Sequence, residues 1–123
     1  MISDQQQITI ANFLASQDPS CCLLIIGPSG TGKTTIARHI LSLAAAEKQE
    51  IVIVDDFKLP YLPTPDNDGP APQFRTMVYA SASSDIYLAR VLGHYNKIIF
   101  TSERTEIISQ ARERYSSVYM ICL

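Results

Sequence analysis

Apolar and polar positions along the chain fall into alternating blocks of two periods. Ser3 and Gln6 have capping-box spacing, and Ile10, Phe13 and Leu14 then mark one helical face that Pro19 ends. Cys21-Cys22-Leu23-Leu24-Ile25-Ile26 is a continuous apolar run closed by Gly27-Pro28, the pattern of a strand buried on both faces of a parallel sheet. From Lys33 to about Ala46, Ile36, Ala37, Ile40, Leu41 and Ala44 return at helical spacing. Ile51–Val54 is a second β-branched strand, and it ends on Asp55-Asp56. Further on, strands are predicted at Thr76–Ala80, Lys97–Phe100 and Val118–Cys122. Helices are predicted from about Ser84 to Leu92, with Gly93 as its cap, and from about Glu103 to Tyr115. Strand and helix alternate, which predicts an α/β domain with a mostly parallel five-stranded sheet and helices on both faces.

One segment breaks the alternation. Five of the seven prolines lie between Phe57 and Gln73, with Asp66, Asn67, Asp68 and Gly69 among them. Proline fixes φ and removes a donor, so residues 57–74 read as a long loop or extended arm. Phe57, Tyr61, Leu62 and Phe74 stand at its margins, and two readings stay open: an arm that docks on an adjacent subunit, from which self-association is expected, or an idle surface loop.

Composition narrows the picture further. The length of 123 residues suits a single domain, 1–123, and 46% hydrophobic residues excludes a disordered chain. A net charge of −2 gives no global basic field with which to grip nucleic acid or an anionic membrane. Cys21, Cys22 and Cys122 have neither disulfide nor zinc spacing and are expected to be buried as small apolar residues. The first residues lack a basic region followed by an apolar one, and no apolar run has bilayer length. A cytoplasmic protein without membrane attachment is expected.

The chemistry concentrates in Gly27-Pro28-Ser29-Gly30-Thr31-Gly32-Lys33-Thr34, which fits G-x-x-x-x-G-K-[ST] at every fixed position. Its setting, a buried strand before and an amphipathic helix after, is the one the motif requires. The glycines let successive backbone N–H groups face an anion, and the helix start adds its positive dipole. Lys33 supplies a full charge to the β- and γ-phosphates, the Thr34 hydroxyl can ligate Mg2+, and Thr35 can reach the α-phosphate. ATP with Mg2+ is the expected cofactor.

These residues resemble the P-loop NTPase superfamily, which implies its three-layer fold. The later segments are similar to viral DNA-packaging ATPases and FtsK-type translocases. The resemblance rests on Leu88–His94 as a helix and turn before the fourth strand, Ile98–Glu103 as a strand ending in a polar sensor, and Ala111–Arg114 as an arginine-bearing segment. It implies Thr101 or Ser102 at the γ-phosphate, because Glu103 stands where that family has glutamine. It also implies a homo-oligomer acting on DNA, with Arg75, Arg104, Arg112 or Arg114 reaching a neighbour's phosphate.

Hydrolysis needs a strand-end carboxylate for the metal and usually a second for water. Asp55 and Asp56 have that chemistry, in a register that also resembles viral replication helicases. By order along the chain, however, the packaging ATPases place their acidic strand where this sequence has Thr76–Ala80, with Asp85 as the nearest acid. Four readings stay open: a DNA-packaging ATPase motor, a replication-helicase-type ATPase, a small nucleoside or nucleotide kinase, and a regulatory nucleotide-binding module without turnover.

Overall fold

The computed structural model of the chain describes residues 2–57, 61, 62, 65, 68, 78–80 and 85–123, with 78–80, 85–88 and 91 described by backbone alone. Through them run α1 (Asp4–Ala15), β1 (Cys21–Ile26), α2 (Lys33–Ala46), β2 (Val52–Asp55), β3 (Val78–Ala80), α3 (Asp85–His94), β4 (Lys97–Ser102), α4 (Ile107–Arg114) and β5 (Ser117–Cys122). The class is α/β and every strand pairing is parallel. At the start of α1 the capping box forms as its spacing predicts. The Ser3 hydroxyl accepts from Gln6 N at 3.2 Å, and Ser3 N donates to Gln6 Oε1 at 3.0 Å.

The strands stand in the order β3-β2-β4-β1-β5. Between β1 and β2 the chain passes over the place that β4 later fills. This arrangement sets the carboxyl end of β2 beside that of β4, and one strand away from that of β1. Register is continuous: Ile26 of β1 stands opposite Ser102 of β4, and Val54 of β2 opposite Phe100.

Alternation along the strands divides the core into two apolar clusters. Cys21, Leu23, Ile25, Ile53 and Ile99 pack under Ile10, Phe13 and Leu14 of α1 and Ala37, Ile40 and Ala44 of α2. Cys22, Leu24, Ile26, Val52, Val54, Ile98 and Phe100 pack with Leu92 of α3 and Ile107 and Ala111 of α4. All six residues of β1 are buried, which explains its unbroken apolar run. Burial pushes the Cys22 thiol up to about 12 and raises that of Cys21 as well. Both therefore stay protonated at neutral pH and act as core residues. Cys122 differs from expectation: it is exposed near the end of β5.

Three other expectations change. The fourth helix starts at Ile107, not near Glu103, because Thr101 and Ser102 continue β4 in register with Ile25 and Ile26. Gly93 lies inside α3 and does not cap it; His94 closes the helix, with its Nδ1 at 2.8 Å from Arg90 O. Phe57 and Leu62 do not project toward a neighbour but are buried in this chain's own core. Phe57 meets Phe100 edge to face at 5.5 Å between ring centroids, and Leu62 N donates to Gln110 Oε1 at 2.6 Å. Tyr61 is 50% exposed, while Phe74 and most of the expected arm lie outside the described residues. Among the described residues, no helix is long and apolar enough to cross a membrane.

Candidate functional site

The turn from β1 into α2 carries the phosphate loop. Gly30 and Gly32 have φ of +80° and +91°, left-handed values that strain any residue with a Cβ. Gly27 is needed for a different reason. A Cβ there would lie 3.0 Å from both the Cβ and the carbonyl oxygen of Leu123. Gly32 is the residue preceding α2, and no side chain caps that helix start. The first N–H groups of α2 are thereby left to face the cavity, together with the positive end of the helix dipole.

Lys33 folds back over its own loop. Its Nζ donates to Gly27 O at 2.8 Å and Pro28 O at 2.7 Å, and the Thr31 hydroxyl also donates to Pro28 O, at 2.7 Å. The ammonium is thus held at the mouth of the loop by two of its carbonyls.

The carboxylates arrive from β2. Asp55, its last residue, is half-buried and accepts at Oδ1 from the Thr34 hydroxyl at 2.8 Å and from the Thr101 hydroxyl at 2.6 Å. Asp56 is exposed in a left-handed turn, φ +54°, and its N–H donates to the Thr101 oxygen at 2.7 Å. Strand order accounts for this meeting. Because β2 lies beside β4, Asp55 comes next to Thr101 although 46 residues separate them, and the crossover helix delivers Thr34 to the same oxygen.

A cavity of about 340 Å³ joins these parts, lined by Ser29, Gly30, Gly32, Lys33, Thr34, Thr35, Asp55, Asp56, Thr101 and Glu103. The sequence-predicted residues divide accordingly. Gly27, Pro28 and Thr31 do not line the cavity; they form its scaffold through the Lys33 and Thr31 bonds. Ser102 does not reach it either. It is fully buried, donating to Phe57 O at 3.0 Å and accepting from Arg104 N at 3.0 Å. Glu103, which stood outside the expected contact set, does line the cavity; its signal in the sequence was its place directly after the apolar run of β4. Arg104, Arg112 and Arg114 are exposed and do not line it. Arg75 and the side chain of Asp85 lie outside the described residues.

The donor set fits a magnesium–nucleotide complex. Among the described residues no three acids, histidines or cysteines gather as a metal cage. What converges is the Asp55 carboxylate with the hydroxyls of Thr34 and Thr101, and a carboxylate beside a hydroxyl is a pair of hard oxygen donors of the kind that hold Mg2+ jointly with substrate phosphates.

No protein-family model matches the chain, and no solved structure does. It is 33% identical over 54 residues to the zinc import ATP-binding protein ZnuC of Buchnera aphidicola subsp. Baizongia pistaciae (strain Bp). The stretch is 44% of this chain and 23% of that protein, so the chain spans less than a quarter of the relative's length. Taken with the loop, this similarity supports the P-loop NTPase superfamily.

Proposed function

We propose that this chain is a three-layer P-loop NTPase domain with a five-stranded sheet that binds ATP with Mg2+ and hydrolyses it. The observation that carries the reading is the convergence of Thr34 and Thr101 on one oxygen of Asp55, across the cavity from Lys33. The backbone N–H groups of Ser29 to Thr34 and the α2 dipole cradle the phosphates, and Lys33 counters their charge. Thr34 and Asp55 would hold the ion, which would supply positive charge against the phosphates. Asp56, exposed beside them, would orient the attacking water and accept its proton as the new bond to the γ-phosphorus forms and the bond to the ADP oxygen breaks. Titration calorimetry with ATP, with and without Mg2+, beside a phosphate-release assay, checks this; absence of ATP binding in both conditions would sink it.

A finer reading, a cytoplasmic homo-oligomeric motor of the DNA-packaging type, draws on the resemblance of the later segments and on the exposure of Arg104 and Arg112 near the β4 end and along α4. It expects phosphate release to rise with DNA and with self-association. A monomer whose turnover ignores DNA leaves the nucleotide-binding module in its place.

A further inference from the structure

Thr101 stands where a polar side chain would be expected to touch the γ-phosphate, yet its hydroxyl is already engaged on both sides. The residue is 1% exposed. It donates to Asp55 Oδ1 at 2.6 Å and accepts from Asp56 N at 2.7 Å. Its carbonyl accepts from Phe57 N at 2.8 Å, so backbone and side chain together grip the three residues that follow Val54. A threonine hydroxyl carries one proton, and a proton given to Asp55 is not available to a phosphate oxygen.

We propose that Thr101 is a positioning residue for the metal side of the site and not a phosphate contact. It turns Oδ1 of Asp55 toward Thr34 and pins the left-handed turn at Asp56, so that the donor pair and the second acid are assembled before nucleotide arrives. The turn supports this assignment. A non-glycine residue at φ +54° lies in the sparsely populated left-handed region, and it persists where neighbouring bonds over-determine it. The Asp56 N–H to Thr101 bond is such a constraint. A carboxylate fixed in advance loses less freedom on taking up an ion than a mobile one. The inference rests on the reading of this cavity as a Mg2+–nucleotide site.

Thr101→Val keeps the shape and the β-branch while removing both hydrogen bonds; Thr101→Ser keeps the hydroxyl. Binding of a fluorescent ATP analogue is measured for each in EDTA and across a Mg2+ titration. In Thr101→Val the Mg2+ concentration for half-maximal strengthening should rise by about 10-fold or more, as for loss of a group that orients a metal ligand. Its affinity in EDTA should stay within about twofold of the parent, because the loop and Lys33 are untouched. Thr101→Ser should follow the parent. Since each comparison is made within one variant, a smaller folded fraction lowers both arms alike and leaves their ratio intact. Equal weakening with and without Mg2+, in a variant whose circular dichroism and unfolding midpoint show it as fully folded as the parent, would assign Thr101 to the phosphate and overturn the inference, as would a parental Mg2+ profile in Thr101→Val. Loss of the Mg2+ response in Thr101→Ser overturns it too. Failure of the parent protein to bind the analogue in either condition is a separate result, and it removes the reading of the site itself.

Discussion

The phosphate loop and the acid-bearing turn face each other across one cavity but are held by opposite means. The loop is held largely from within: up to Lys33 its side-chain bonds join residues no more than six apart, Lys33 to Gly27 and Pro28, and Thr31 to Pro28, and only Thr34 at its end reaches across to Asp55. The acid turn has no such autonomy. Asp55 and Asp56 are fixed by Thr101, 46 and 45 residues further along, and by Thr34, 21 residues before Asp55. The loop's turn rests mainly on its own residues in register and a helix after it, with Leu123 packed against Gly27 at its start. The acid turn also needs β2 to lie beside β4. One half of the site is therefore a property of consecutive sequence, the other a property of strand order.

Changes on the two sides should accordingly fail in different ways. The largest effect is expected on the loop side. Lys33→Ala removes the loop's full positive charge and should weaken ATP binding by about 10- to 100-fold, in EDTA and in Mg2+ alike. The fold should survive, since the Lys33 bonds go to loop carbonyls and not into the core. Calorimetry reads the affinity, and circular dichroism the fold. A loss confined to the Mg2+ arm would mean that the two sides are not separable.

On the acid side the signature should be reversed. Asp55→Ala takes the shared acceptor from Thr34 and Thr101, and should abolish the strengthening by Mg2+ while sparing metal-free binding. Because two hydroxyls lose their partner, thermal unfolding should also show a cost of about 1–3 kcal/mol. Asp56→Ala should leave nucleotide affinity near parental and remove phosphate release, since its carboxylate is exposed and outside the Thr34–Asp55 pair. Equal phenotypes for the two variants would contradict the division of roles between them.

The same contrast explains what could be read before the fold was known. Gly27–Thr34 declares its conformation and its chemistry in eight consecutive residues, and the all-buried β1 is visible in its run of six apolar side chains. The acids were legible as chemistry but not as placement. Chain order pointed to the strand at Thr76–Ala80 as well, and only the passage of the chain over the β4 position puts Asp55, at the end of β2, against Thr34. The end of β4 misled for a related reason. Thr101-Ser102-Glu103 has the local character of a helix start, but parallel pairing with Ile25 and Ile26 holds the first two as strand. Ser102 then takes the Arg104 N–H, and the helix is delayed to Ile107. Phe57 and Leu62 stand in a proline-rich segment that reads as an arm, yet both pack in the cluster of Val52, Val54, Ile98 and Phe100, a burial that the local sequence does not signal.

A middling effect is expected at Glu103, where the two halves share one electrostatic field. The cavity lining carries the carboxylates Asp55, Asp56 and Glu103 against the ammonium of Lys33. Free ATP is a polyanion and meets that surplus directly, while its magnesium complex carries less charge. Glu103→Gln should therefore raise affinity for metal-free ATP by a few-fold, about 1 kcal/mol or less for an exposed charge, and raise affinity for the magnesium complex by less. Competition binding in EDTA and in Mg2+ measures the ratio. A lower affinity in either condition would mean that Glu103 holds the ion or the water.

The smallest effect on ligand binding should come from Ser102, although it neighbours Thr101 and is more buried. Alternation along β4 turns adjacent side chains to opposite faces, so Thr101 meets the acid turn while Ser102 points the other way. There its hydroxyl donates to Phe57 O at 3.0 Å and accepts from Arg104 N at 3.0 Å, tying the exit of β2 to the exit of β4 below the site. Ser102→Ala leaves a buried carbonyl without its donor and should cost about 1–2 kcal/mol of stability. The Mg2+ titration should nevertheless overlay that of the parent, because the bonds from Asp55 and Asp56 to Thr101 remain. The result bears on how the acid turn is held. If Thr101 alone sets it, Ser102→Ala lowers the unfolding midpoint and nothing else. If the whole end of β4 acts as one rigid piece, the Mg2+ requirement rises in Ser102→Ala as it does in Thr101→Val, and the acid turn then depends on the carbonyl of Phe57 as much as on the hydroxyl beside Asp55.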